Sequence, residues 1–438
     1  MKKIICFILV LVICTGLFSC MPNLKKYVVK YGSEKVTLDD SYVESAEYLS
    51  LLLKLNSFSI GLTDSISNSN AGASNYGISP VAVYMSLATA CEMASGETRE
   101  EILNALGMTY DEVKEYSKFV YALCNKEYTY TDTYGMEHVS AHEELASSLW
   151  ISSEHIHKTE CVHSLATNFN CDVFSIDYKK GTAEKLINQY IEYKTHSVIK
   201  KGVSISKNAT LSLISVYHLK EIWNEFGKNL TQSLESYGFV NASGDAVDKQ
   251  LLKSTYAGGK VYTTPSFTSF YIETEHGYRL YFMTPKNNLP LNTVFNSSNI
   301  AKMIENRDYG FIDDRNERIN YTRILFPQFS IEFKGDVSQN LKEDFKIEAL
   351  FDKENCNLSN IVHEDAYLDK LIHVAKINVD AKGIEGASIN LAQSNKTPIA
   401  LPNYEKVYHE FVITEAFGIV LVDANGMILY AGEVNSLK

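Results

Sequence analysis

Proline is scarce, with eight in 438 residues, and no stretch rich in proline, glycine and serine interrupts residues 45–438. A chain of this length has room for two or three domains, but no linker marks a boundary. Positive charge is also short: 41 Lys and Arg stand against 53 Asp and Glu, a net −12. That balance argues against a nucleic-acid partner, and Lys200-Lys201 is too short a basic run to follow a phosphate backbone. No CxxC pair occurs, so nothing supports a cysteine zinc site. No Gly-x-Ser-x-Gly elbow, His-Glu-x-x-His helix or phosphate loop is present, which leaves an enzyme reading without a nucleophile, metal or nucleotide site. Of eleven histidines, the closest pairs in sequence are His138/His142 and His155/His157. Both read as exposed decoration of loops or strands, and neither a metal nor a cofactor is expected.

No apolar run reaches membrane-spanning length either. The run Ile4–Phe18 follows Lys2 and Lys3 and is too short for a convincing transmembrane helix; it reads as a targeting segment. It closes with Leu17-Phe18-Ser19-Cys20. That pattern resembles a bacterial lipoprotein box, in which residues 1–19 are removed and Cys20 becomes the lipidated first residue. An ordinary secretory signal with an incidental cysteine is the other reading. Several acyl chains on one residue would give a stable anchor. Residues 20–44 then read as a lipidated N-terminus and polar tether, placing the protein outside the cell on a bacterial membrane. Of eight cysteines, Cys6 and Cys14 leave with the signal. With Cys20 lipidated, Cys91, Cys124, Cys161, Cys171 and Cys356 remain. An odd number at irregular spacing is no disulfide framework, and small buried hydrophobes are the expected role.

The 45% of hydrophobic residues are ample for a globular core. Tyr48–Ser65 carries apolar residues at helical spacing. Val81–Ala94 is apolar on all sides, which predicts a buried helix. Thr98-Arg99-Glu100-Glu101 has the form of a capping box and would open the next helix. Leu145–Ser152 and Val173–Tyr178 read as strands around a short helix at Glu160–Asn168. Ala183–Ile199 repeats at helical period, with Leu186, Ile187, Tyr190, Ile191 and Val198 on one face. Ser269–Thr274 and Tyr278–Met283 form a hairpin about Glu275–Gly277. A helix at Asn299–Glu305, one strand over Tyr321–Phe333 and a helix at Val337–Phe345 follow. A helix-rich first half and a strand-rich second half indicate an α+β fold.

The stretch from Leu368 to Asn390 stands apart. Leu371, Ile372, Val374, Ala375, Ile377 and Val379 make a long buried strand. Asp380–Gly383 breaks it, and the small residues Gly386, Ala387 and Ser388 follow. Such a loop can wait in solvent and later fit between two strands.

The run KLIHVAKINVDAKGIEGAS resembles the fifth strand of the main sheet and the hinge of a serpin. Other segments resemble the same family in serial order: Ile78-Ser79-Pro80 with the helix Gly96–Leu106, Leu211–Phe226 with Trp223, Phe326-Pro327-Gln328-Phe329, Phe411–Phe417 and Ile428–Asn435. The resemblance implies one serpin domain over 45–438, with a large central sheet, smaller sheets and an exposed reactive-centre loop at about 383–405. It implies an endopeptidase inhibitor rather than an enzyme. A serine protease, or a cysteine protease, would cut the loop, and the freed segment would insert as a strand and trap the acyl-enzyme. It further implies a hinge of Gly383, Ile384, Glu385, Gly386, Ala387 and Ser388. The sheet-opening region would comprise Ser79, Ser215, Trp223 and His373, with Ala82 and Ser215 standing where the family has Ser and Asn. Strand periodicity would send Ile384, Gly386, Ser388 and Asn390 into the core. Family spacing puts the scissile bond at Lys396-Thr397, or at Thr397-Pro398. The lysine points to a trypsin-like or Lys-directed protease, and a cut elsewhere in 390–400 to an elastase-like one. A non-inhibitory surface binding protein of the same fold is the competing expectation.

Overall fold

In the computed structural model, the structure describes residues 24–32, 41–70, 72–132, 134–200, 203–224, 227–257, 261–305, 312–313, 317–385 and 403–437. Helices dominate the first half: α1 (Ala46–Asn70), α2 (Pro80–Met93), α3 (Gly96–Leu106), α4 (Tyr110–Leu123), α5 (Thr159–Asn168) and α6 (Ala183–Lys194). Three more follow, α7 (Leu291–Val294), α8 (Ser297–Glu305) and α9 (Ser338–Phe345). Helix α2 is buried along its whole length, as its apolar composition predicts. Its start is written in Ser79-Pro80. The Ser79 hydroxyl accepts from the Ala82 N–H, and Pro80 fills the first position, where no amide partner is needed.

The next helix start differs from expectation. Helix α3 begins at Gly96, and Thr98 lies inside it. The Thr98 hydroxyl instead accepts from the Asn357 N–H at 3.0 Å, and Glu101 accepts from the amides of Glu348 and Ala349. The reciprocal capping box sits one helix later: the Thr109 hydroxyl accepts from Glu112 N–H, and the Glu112 carboxylate accepts from Thr109 N–H at 2.7 Å. Thr109→Ala is therefore expected to cost about 1 kcal/mol of stability. Ser95→Ala, which removes no side-chain cap, should cost less than half of that, and urea denaturation midpoints of the two variants check this.

Strands build three sheets. The main sheet runs β1 (Val28–Lys30), β5 (Cys171–Ile176), β4 (Glu137–Ser152), β6 (Leu211–Ile222), β16 (Gly383–Ile384), β15 (Leu368–Val379) and β14 (Phe329–Asp336), with β3 (Lys126–Thr131) on β4. A second sheet orders β2 (Tyr76–Ile78), β19 (Ile428–Val434), β18 (Phe417–Val422), β11 (Arg279–Pro285), β10 (Phe267–Glu273) and β9 (Tyr262–Thr263). The third holds β12 (Ile312–Asp313), β13 (Arg318–Pro327), β8 (Ala246–Ala257) and β7 (Thr231–Val240), with β17 (Glu405–Val412) parallel to β13. Tyr321–Phe333 is thus two strands in two sheets. Pro327, which has no N–H for a ladder, ends β13, and after Gln328 the chain enters the main sheet.

The main sheet is covered on both faces, so its central strands are apolar on both sides. Along β15, Leu371, Ala375, Ile377 and Val379 pack into the large core with α2. Ile372 and Val374 pack with Ile214, Val216 and the buried face of α6, namely Leu186, Ile187, Tyr190 and Ile191. Helix α6 ends at Lys194, short of the predicted Ile199. His196 and Ser197 adopt positive φ and turn the chain across the sheet.

The expected polar tether is partly docked. Leu24 is buried, Val28–Lys30 pairs with β5, and the Gly32 N–H donates to Asp172 Oδ1 at 2.9 Å. The apolar Leu24, Tyr27 and Val28 cover the end of the α6 cluster, which is why this segment leaves solvent. Among the described cysteines, Cys91, Cys124, Cys161, Cys171 and Cys356 are free thiols. Burial pushes Cys91 and Cys161 up to about 12, so they stay protonated and inert.

Candidate functional site

Strands β6 and β15 are parallel neighbours over only part of their length. They pair directly from Leu368↔Leu211 to Ala375↔Tyr217. Beyond that point a short segment lies between them. Gly383 pairs with Ile222, and Ile384 pairs with both Glu221 and Val379. The chain reaches this slot by reversing at the end of β15. Asp380 makes the turn: its carboxylate accepts from the Lys382 and Gly383 amides at 2.7 and 3.2 Å, and its own N–H donates to the Gly383 carbonyl. Glycine is required at 383, because a Cβ there would run into the Glu221 carbonyl. Ile384 is 1% exposed and joins the large core, a burial that stabilises by about 1.5–3 kcal/mol. Ladder contact continues to Glu385, whose N–H donates to Asn378 O at 2.9 Å, and whose carboxylate accepts from Asn378 Nδ2 at 3.0 Å. Glu385 takes a φ of +61°, which ends the strand.

Trp223 closes this end of the slot. It is fully buried, its indole N–H donates to the Asp380 carbonyl at 2.9 Å, and its backbone N–H donates to Lys382 O at 3.2 Å. Glu221, buried beside Ile384, receives His276 Nδ1 at 2.5 Å. Desolvation holds its carboxyl above the usual range, offset in part by Thr274 and His276.

Where β6 and β15 still touch, His373 joins them. The Ser79 N–H donates to His373 Nε2 at 2.9 Å, and His373 Nδ1 lies 3.1 Å from Ser215 Oγ. A backbone amide can only donate, so Nε2 is the acceptor and Nδ1 carries the hydrogen given to Ser215. His373 is fully buried, and burial lowers it to about 3. The imidazole is therefore neutral and ties three elements together: the start of α2, β6 and β15. The sequence-predicted residues Ser79, Ser215 and His373 form one cluster under the seam. Trp223, Gly383 and Ile384 form a second at its opened end, with Glu385 just past it. Ala82 stands beside the first as the amide donor to Ser79. Cys20, Gly386, Ala387, Ser388, Lys396, Thr397 and Pro398 lie outside the described residues.

Three features escape a reading of the sequence. Asp380 is one; the DAKG run signals a turn, but not that Trp223 would cap it. Glu143 is another, buried with both carboxylate oxygens taken by Tyr217 and Tyr278 hydroxyls at 2.8 and 2.7 Å. Burial raises it to about 7, with the two tyrosine bonds opposing. The third is a cluster of His142, His196 and His218. Pairing histidines by nearness in sequence was the wrong criterion: His138 binds Asp132 at 2.9 Å and His155 faces Glu364 at 3.5 Å. Strand register, which brings Glu144 opposite His218 and His142 opposite Lys220, is what unites the cluster.

Comparison with known proteins fits this architecture. A family model of serpins (serine protease inhibitors) matches residues 53–437. Serpin-Z4 of Arabidopsis thaliana is 23% identical over 393 residues, spanning 83% of this chain and 92% of the relative. Among solved structures, the thermophilic serpin tengpin in its native state aligns with a TM-score of 0.71 at 17% identity, covering 92% of this chain and 96% of its own. Human thyroxine-binding globulin aligns with a TM-score of 0.72 at 17% identity, covering 89% and 99%. With matched residues running through the slot, the seam and the last strands, the chain belongs to the serpin family.

Proposed function

We propose that this serpin is a suicide-substrate inhibitor of extracellular serine endopeptidases, with cysteine endopeptidases as a second class. The carrying observation is the partly occupied seam: Gly383–Ile384 already sits between β6 and β15. Directly paired strand remains below it. Cleavage in the loop at Lys396-Thr397 would free the segment after Ile384 to continue down the seam. Each parallel contact of β6 with β15 would be replaced by antiparallel contacts on both sides, which are slightly more favourable per residue. The attached acyl-enzyme would be carried away and its oxyanion hole displaced, slowing deacylation. Lys396 suits a trypsin-like or Lys-directed target; cleavage elsewhere in 390–400 would mark an elastase-like one. Lipid on Cys20 would hold the inhibitor on the outer face of a bacterial cell.

The test mixes the full-length protein, in detergent, with trypsin, a Lys-directed protease and elastase, followed by denaturing gels and intact mass. A denaturant-resistant complex with release of a peptide starting at Thr397 is the expected result. Clean cleavage with no complex, and no rise in thermal stability of the cut protein, would overturn it. The second reading, a non-inhibitory surface binding protein, draws support from the positive φ at Glu385, which ends the inserted strand after two residues.

A further inference from the structure

On the opposite face of the main sheet from His373, three imidazoles converge from three separate elements. His142 comes from β4, His218 from β6, and His196 from the segment just after α6. One ring nitrogen from each lies within 4.8 Å of the others. His142 Nε2 is 3.0 Å from His218 Nδ1. His218 is 2% exposed, and its Nε2 is buried with no hydrogen-bond partner. Ligation would use Nδ1, the nitrogen turned toward His142, and would leave Nε2 as it is. Glu144 sits at the rim, its carboxylate accepting His196 Nε2 at 3.0 Å and Lys194 Nζ at 2.9 Å. Lys220 stands opposite His142 in the strand register and, by its charge on His142 and His218, opposes a cation there.

We propose that His142, His196 and His218 bind one divalent first-row transition metal ion, with zinc the reference case. Three imidazoles are a borderline donor set that suits zinc, copper or nickel and not magnesium or calcium. Nitrogens bound to one ion at about 2.1 Å stand roughly 3.4 Å apart in a tetrahedral site. His142 and His218 already approach that spacing. His196, with its side chain 52% exposed, would close the remaining gap from within 4.8 Å. The Glu144 carboxylate beside His196 supplies the orienting partner common at such sites.

The site would act as a clip. The segment that follows His196 runs across the seam: Ile199 packs with Ile214, Ile372 and Val374, and the Lys376 ammonium on β15 donates to Val198 O at 3.4 Å. A bound ion fastens this strap to β4 and β6. This consequence rests on the inhibitor reading, because only an inserting strand must pass beneath the strap.

The experiment uses the full-length protein in detergent, purified without a histidine tag. Zinc is titrated by calorimetry, and cobalt(II) is followed by its visible absorption. Equimolar saturable binding with the intense bands of tetrahedral cobalt is expected. His196→Ala should weaken binding by more than about 100-fold, since losing even the hydrogen-bond partner of a ligating imidazole costs about 10–100-fold. His138→Ala should leave it unchanged. Thermal midpoints in chelator show that both variants fold. Absence of saturable binding, or wild-type affinity in His196→Ala, would overturn the site. In a separate arm, zinc should shift the products of protease challenge from trapped complex toward cleaved inhibitor. If zinc binds but the partition is unchanged, the site stands and the clip falls. If no protease is trapped, the inhibitor reading fails while the binding result keeps its meaning.

Discussion

The substitution Ile384→Asp is expected to abolish covalent trapping while leaving cleavage of the loop intact. Ile384 lies directly opposite Glu221 in the ladder, and both are buried. Glu221 has one oxygen bonded to His276, while Oε2 has no partner. The substitution would add a second carboxylate to the same apolar pocket. Two carboxylates sharing a buried site cannot both ionise, and an unpaired buried charge costs several kcal/mol. The segment should therefore leave the slot, and insertion could not begin. At 1.4 kcal/mol per tenfold, the complex fraction should fall by more than about 100-fold at neutral pH. Partial recovery is expected as pH falls and the new carboxyl protonates. Ile384→Val, which keeps the slot apolar, should trap nearly as well as the wild type. Densitometry of denaturing gels decides it; wild-type trapping by the aspartate variant would mean that burial of residue 384 does not govern insertion.

The second large effect belongs to His373. Its alanine variant leaves the Ser79 N–H buried without an acceptor, worth about 1–3 kcal/mol, and opens a cavity under the seam. The pH dependence is more telling. Burial lowers His373 to about 3 in the fold, against about 6.5 in an unfolded chain. The unfolded state therefore binds more protons between these values, and stability rises with pH across that window. The contribution is fully present above about pH 6.5 and is lost as pH falls toward 3, by at most about 1.4 kcal/mol per unit. Protonation would also put a second N–H against the Ser79 amide. Glu143 works the other way: raised to about 7, it favours the fold at low pH, and that help fades as pH rises from about 4.5 to 7. The two trends overlap, so the informative quantity is a difference. The urea midpoint of the wild type minus that of His373→Ala should shrink steadily from pH 7 to 4. A constant difference would show that the imidazole does not carry the seam's acid sensitivity.

Much of this architecture was legible in local pattern. Helix α2 betrayed itself by apolar residues on every side, and β15 by its apolar run ended at Asp380-Ala381-Lys382-Gly383. The Ser79, Ser215, His373 and Trp223 set came from family resemblance, because nothing local to those residues states that they meet. Sequence separation explains most of what was hidden. Thr98 and Thr109 both present Thr with a glutamate three residues on, and only the contact of Thr98 with Asn357 shows which one caps. The strand break at Pro327-Gln328 depends on a change of sheet, which alternation does not reveal. The histidine cluster spans His142 to His218 and becomes visible only through strand register. Leu24 and Val28 looked like spacer because three strand residues carry little periodicity; the exposed edge of β5 is what recruits them.

The length of β6 has a mechanical meaning. Two of its twelve residues, Glu221 and Ile222, are already matched by Ile384 and Gly383. The rest of the strand offers about 33 Å of further travel at about 3.3 Å per residue. Strand length thus sets the stroke of the device: anything tied to the advancing end would be hauled from the Trp223 end of the sheet toward the Leu211 end. On the proposed inhibitor reading, a stroke of that size would press an attached protease against the far end of the molecule. A serpin with β6 shortened by a few residues would pull in the same direction and stop too soon to crush its cargo.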